Sequence, residues 1–246
     1  MVTGNQFGEL IYDKKLVVLL LMSFMITGCT KIPNTTTETS TVDNKESSKI
    51  LIAYFSWADN TVVENEKASI ESALKHYESI GDQNDNVDAT SSASILQPGN
   101  VGKIATWIQE NIGGDLFSIQ VTIPYPSNYD ECLDRAADEK TKNARPVLKE
   151  KVDNLNDYDT VFIGYPNWWY SVPMPVLTFI DENNLSDKNI VLFCCHGTGG
   201  LSRSVEDIQS ELPNSAHLET NVIGVYRNEI NDSKEEIIQW LENIGY

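Results

Sequence analysis

Five short, mostly apolar runs separated by helical patterns constrain this chain more than any other feature. They are Lys49–Phe55, Asp115–Val121, Thr160–Tyr165, Asn189–Cys195 and Asn221–Val225. Runs that stay apolar on consecutive residues suit strands covered on both faces, as in a parallel sheet. Between the first and second runs, Val101, Ile104, Ala105, Ile108 and Ile112 fall on one helical face, and Gly113-Gly114 ends that pattern. Residues 175–182, 204–211 and 233–244 predict three further helices. Alternation of this kind predicts an α/β fold, a doubly wound parallel sheet of five strands with crossover helices.

Two segments fit that scheme less directly. Residues 62–98 form an insertion between the first strand and the first clear helix. Its early part, Glu66 to Tyr77, has a helical pattern, whereas Gly81 to Ser94 is polar and predicts a loop. Insertions this long usually carry a role or stay disordered. The charged stretch Tyr129 to Lys151 reads as helical throughout and is expected over the sheet edge.

The N-terminal segment does not belong to the fold. Lys14-Lys15 precede an apolar stretch, Leu16 to Ile26, too short to span a bilayer comfortably. It runs into Ile26-Thr27-Gly28-Cys29, which resembles a bacterial lipobox. The resemblance implies a signal segment over 1–28 and lipidation at Cys29. Residues 29–48 are rich in Thr, Ser, Asn, Lys and Glu and predict a disordered tether. The folded domain is then expected over 49–246, held at the extracytoplasmic face of the cell membrane.

Composition narrows the partners. Thirty-six acidic against eighteen basic residues give a formal charge of −18, a field that repels phosphate backbones. No nucleic acid is expected as a partner. Cys132, Cys194 and Cys195 form no Cys-x-x-Cys pair, and the three histidines lack ligand spacing, so neither a disulfide nor a metal site is expected.

Ligands of doubly wound sheets bind outside the carboxyl ends of the strands. Three loops there carry the chemistry. The first begins Ser56-Trp57-Ala58-Asp59-Asn60-Thr61, the second runs Gly164-Tyr-Pro166-Asn167-Trp168-Trp169-Tyr170, and the third is His196-Gly197-Thr198-Gly199-Gly200. Consecutive aromatics on a Pro-bounded loop suit a planar ring that needs stacking partners. Glycines let backbone N–H groups approach such a ring.

Together these loops resemble those of the flavodoxin-like FMN-binding family. The resemblance implies strand order 2-1-3-4-5 and FMN as cofactor, with the ring between the second and third loops. The third loop would pass the pyrimidine side of that ring. In the first loop Asp59 stands where the family carries glycine, and its carboxylate would repel phosphate. Three arrangements are therefore open: a cradle split between Ser56-Trp57 and Gly99-Asn100-Val101 at the true helix start, a compact cradle at Asp59-Asn60-Thr61, or none. A helix N-terminus can hold phosphate without a cation. The binding set expected is thus Ser56, Trp57, Gly99, Asn100, Val101, Pro166, Asn167, Trp168, Trp169, Tyr170, His196, Gly197, Thr198, Gly199 and Gly200. His196 would either sense flavin protonation or cap the strand. Arg203 would either offset charge on reduced flavin or stay solvated.

Three functions follow. One is an electron carrier at the membrane surface serving a redox partner protein. The second is an oxidoreductase, an FMN-dependent NAD(P)H:quinone-type reductase passing electrons to a small acceptor such as a quinone. The third is a non-redox binding module with a decayed flavin site, the reading that Asp59 favours. The acidic surface is expected to lower the potential of a bound flavin.

Overall fold

The computed structural model describes residues 49–79, 95–197 and 199–246. Residues 1–48, where a signal segment, a tether and lipidation at Cys29 are expected, lie outside the described residues, as do 80–94 and Thr198. Within the unit Glu46–Tyr246 the order is β1 (Ile50–Tyr54), α1 (Glu66–Ser79), α2 (Asn100–Ile112), β2 (Asp115–Ser118), α3 (Tyr129–Thr141), β3 (Thr160–Pro166), α4 (Met174–Glu182), β4 (Asn189–His196), α5 (Ser204–Glu211), β5 (His217–Leu218), β6 (Ile223–Tyr226) and α6 (Lys234–Asn243).

The strands pair in parallel in the order β2-β1-β3-β4-β5, with β6 also on β4. That is the order the resemblance implies. The expected fifth strand is two pieces on one edge: His217–Leu218 pairs with the start of β4, and Ile223–Tyr226 with its end. Glu219 to Asn221 between them is polar and exposed or half-exposed, so nothing apolar holds that stretch flat.

Side chains alternate across the sheet as the pleat requires. Leu51, Ala53, Val161, Ile163, Leu192 and Cys194 face the side where α4 and α5 bury Val176, Phe179 and Ile208. Ile52, Phe162, Val191 and Phe193 face α2 and α6, against Ile104, Ile108, Ile237 and Leu241. Strands buried on both faces explain the unbroken apolar runs. Where Phe193 crosses β3 only glycine fits, because a Cβ on Gly164 would lie 2.1 Å from its Cζ.

Two expectations change. The stretch Tyr129 to Lys151 is helical only to Thr141. Asn143 turns left-handed at φ 47°, and Pro146 lacks the N–H a helix interior needs. Beyond that point Val121 bridges Leu148 in antiparallel sense. The first strand ends at Tyr54 rather than Phe55, and Ala58–Asn60 forms a short 3-10 turn.

Asn60 fixes that turn. Its side-chain Nδ2 donates to the Ser56 and Ile119 carbonyls, each at 2.9 Å, and its Oδ1 accepts from Val121 N–H at 2.8 Å. Its own carbonyl accepts from Tyr125 N–H at 2.7 Å. The loop after β1 is thereby fastened to the chain after β2.

Candidate functional site

A cavity of about 320 Å³ opens at the carboxyl ends of β1, β3, β4 and β6. Parallel strands bring there the loops that follow them, which is where ligands of this architecture bind.

The cavity joins residues far apart in sequence. Ser56 and Trp57 line it from the first loop, and Asn100 and Val101 from the first turn of α2. The helix start therefore lies at Asn100, with Gly99 as its N-cap in extended conformation. Pro166, Asn167, Trp168, Trp169 and Tyr170 line it from the second loop, and His196, Gly197 and Gly199 from the third. Gly99 and Gly200 are not among the lining residues, and Thr198 lies outside those described. Gly200 instead takes φ 59°, and its carbonyl accepts from the Asn167 side chain.

Asp59, the residue that argued against a phosphate cradle, is turned away from the cavity. Its Oδ1 accepts from Gln97 Nε2 at 2.7 Å and its Oδ2 from Ser118 Oγ at 2.8 Å. It does not line the cavity. Its charge acts elsewhere: the Tyr54 hydroxyl is raised above its ordinary pKa by burial and, second, by Asp59.

The three aromatics of the second loop divide their work. Trp168 turns inward and meets Phe55 and Tyr125 edge-on, at centroid distances of 5.4 and 5.3 Å. Trp169 and Tyr170 turn outward, 44% and 64% exposed, and stand on the rim. They occupy the centre of a two-residue turn closed by Trp168 N–H to Ser171 O at 3.0 Å and the reverse bond at 3.1 Å. Both have positive φ, 52° and 59°, a pairing for which Asn-Gly is the usual choice. Each such residue costs about 1–3 kcal/mol, and strain of this kind gathers at functional sites. The surroundings hold it in place. Lys140 Nζ donates to the Trp169 carbonyl at 2.7 Å, Trp169 Nε1 donates to the Leu133 carbonyl at 3.0 Å, and Arg203 N–H donates to the Tyr170 carbonyl at 3.2 Å.

His196 is positioned by its own loop, with Nδ1 2.7 Å from the Gly197 carbonyl. Arg203 does not reach the cavity; its side chain is 79% exposed and pairs with Asp207 at 3.3 Å.

Opposite the strand ends, α1 and α3 supply a roof that the sequence did not disclose. His76 and Tyr77 come from the last turn of α1, and Tyr129, Cys132, Leu133 and Ala136 from α3. The His76 and Tyr129 rings lie 4.8 Å apart, Tyr77 and Tyr129 5.4 Å apart. The Tyr77 and Tyr129 hydroxyls are 3.1 Å apart, and His76 Nδ1 is 2.7 Å from Asp130. Burial, then the Tyr77 neighbour, pushes the Tyr129 hydroxyl up, so it stays protonated. Ser69, Ala73 and Tyr77 recur every four residues on the buried side of α1, the one local signal that pointed Tyr77 inward. Arg227 also lines the cavity. It follows β6 directly, and the strand-end rule applied to that strand marks it.

Cys195 completes the floor. Burial pushes its thiol up to about 12, against a hydrogen bond with Asn100 and the nearby Arg227 charge, both of which lower it. A protonated buried thiol is inert. Cys132 and Cys194 are also raised by burial.

The family model described as flavodoxin matches residues 89–244. A crystal structure of a protein from Bacteroides eggerthii described as a flavoprotein superposes with TM-score 0.56 at 25% identity, covering 81% of this chain and 99% of that one. A second from Bacteroides uniformis gives TM-score 0.56 at 21% identity, covering 79% and 98%. A flavoprotein from Lactobacillus acidophilus in complex with FMN gives TM-score 0.48 at 19% identity, covering 76% and 98%. No curated protein matches the chain. Among the described residues, no helix is long and apolar enough to cross a membrane.

Proposed function

The chain belongs to the flavodoxin family, and we propose that it binds FMN and carries electrons at a membrane surface. One observation carries the reading: a single cavity is bounded at once by the first loop, the α2 start, the aromatic loop and the glycine loop.

The residues present fit the cofactor. Trp168 and the rim residues Trp169 and Tyr170 offer flat apolar surface for a ring. The His196-Gly197 loop lines the same cavity, and its glycines would let backbone N–H groups approach the ring. Ser56 and the first backbone N–H groups of α2 suit a phosphate, and Asp59 is engaged elsewhere, which removes the main argument for a decayed site. When bound, the flavin supplies the redox chemistry. The protein would hold it beneath the α1–α3 residues that line the cavity, with Trp169 and Tyr170 exposed at the rim.

The α1–α3 roof over the cavity and the exposed Trp169–Tyr170 rim support the carrier over the reductase. A carrier needs only an exposed ring edge, whereas a reductase needs room for a second ring above the flavin. The test is a visible-absorption titration of the protein with FMN and with riboflavin. FMN should saturate with a perturbed spectrum, riboflavin should bind more weakly, and Trp168→Ala should weaken FMN at least about tenfold, as loss of stacking and packing contacts demands. Circular dichroism of the variant separates lost binding from lost fold. Absence of FMN binding at micromolar concentration would remove the redox reading.

The membrane part of the proposal rests on Cys29 and the acyl chains its lipobox pattern would receive. Expressed in a bacterium that processes lipoproteins, the protein should fractionate with membranes and Cys29→Ala should be released. A variant that stays membrane-bound would sink the anchor.

A further inference from the structure

We propose that Arg227 is the positive charge that stabilises the reduced state of the bound flavin, an inference that rests on the FMN reading above. Arg203, the sequence's candidate for that task, is solvated and paired with Asp207. Among the described residues, no other Arg or Lys lines the cavity.

The side chain is held, not merely nearby. Arg227 N–H donates to the His196 carbonyl at 2.8 Å, which places the residue beside the third loop. Its Nη1 donates to the Tyr77 hydroxyl at 3.0 Å, and its Cζ lies 4.7 Å from the Tyr77 ring centroid. The guanidinium therefore spans from the sheet to the roof. On its way it passes Gly197 so closely that a Cβ there would sit 3.1 Å from Nη1. Gly197 lines the cavity and belongs to the loop that, by the family resemblance, would pass the pyrimidine side of a bound flavin. The charge is felt within the cavity floor, where it lowers the Cys195 thiol against burial.

Reduction by two electrons with uptake of one proton adds one negative charge to the ring. In a chain of net charge −18 that charge meets a repulsive field, partly screened by salt. A cation fixed inside a half-enclosed cavity is screened less than surface charges are, and opposes the field at short range. Charge placed near the reacting part of a flavin is a recognised lever on its potential. Arg227 thus works against the acidic surface: the surface lowers the potential, and the guanidinium restores part of it. The competing role is mechanical, with Arg227 only tying Tyr77 of α1 to the sheet.

Midpoint potentials measured by dithionite titration against reference dyes separate the two. Arg227→Gln should weaken binding of reduced FMN about tenfold more than of oxidised FMN, equivalent to a potential lower by about 30 mV for a two-electron couple. Arg227→Lys, which keeps the charge, should recover most of that shift. Riboflavin loaded at high concentration should show the same shift, because the effect acts at the ring and not at the phosphate. Equal weakening of both oxidation states, or a shift that Lys does not recover, would overturn the proposal and leave the mechanical role. If neither wild type nor variants bind FMN, the FMN reading falls and this inference with it.

Discussion

Replacing Gly164 by alanine should cost about 3 kcal/mol or more of stability, at the upper end for overpacked cores. The added Cβ would lie 2.1 Å from Phe193 Cζ and 2.2 Å from Cε2. Neither partner can give way easily. Gly164 sits in the middle of the sheet, paired with Tyr54 on β1 and Phe193 on β4. Phe193 is fully buried among the side chains of α2 and α6. Swinging the ring aside would open a void and press into neighbours already in contact. The urea midpoint should therefore fall by about 1–2 M for a domain of ordinary m-value. Phe193→Leu in the Gly164→Ala background should recover part of the loss, because the clash and its relief are coupled. A Gly164→Ala protein within about 0.5 kcal/mol of wild type, the range of neutral surface changes, would show that the sheet relaxes at this crossing.

Asn60→Ala should cost about 2–4 kcal/mol, since each buried polar group left unpaired costs about 1–3 kcal/mol. The substitution leaves the Val121 N–H without its acceptor and the Ser56 and Ile119 carbonyls without a donor. Asn60 is only 2% exposed, so water does not readily replace these bonds. Asn60→Asp should be no better. It keeps the acceptor but sets a carboxylate against two carbonyl oxygens in a buried place. Because Ser56 and Trp57 line the cavity, FMN affinity should fall with stability in both variants. Thermal melts with and without FMN check this. An Asn60→Ala protein that melts as wild type would mean the loop is held by other contacts.

The sheet was legible because burial on both faces leaves a mark on consecutive residues. Leu51 to Phe55 and Ile190 to Cys195 are apolar without interruption, and nothing but a covered strand requires that. The aromatic loop was legible for a related reason. Trp168, Trp169 and Tyr170 cannot all enter one core, and the structure sends the first inward and the others to the rim. What escaped was long-range or compensated. The roof depends on α1 meeting α3, a contact between residues some fifty positions apart that no local pattern encodes. Asp59 looked incompatible with a phosphate site because its partners, Gln97 and Ser118, lie far along the chain. The charged pattern after Tyr129 runs on past the helix end at Thr141, because charge patterning does not register the left-handed Asn143 and Pro146 that follow it. Arg227 sits in no motif of its own, and only the strand-end rule extended to β6 marks it.

The second and third loops are sewn to each other as well as to the sheet. Asn167 bonds the Gly200 carbonyl, Arg203 N–H bonds the Tyr170 carbonyl, and Ser171 bonds Asp207 at the start of α5. Neither loop can shift without pulling the other. In the proposed electron carrier this would lower the reorganisation energy: dipoles that cannot turn do not have to be rearranged when charge arrives or leaves. The rate of exchange in that proposed role would then be governed by how closely a partner approaches the Trp169–Tyr170 rim, and an interface that covers those two rings would set the tunnelling distance.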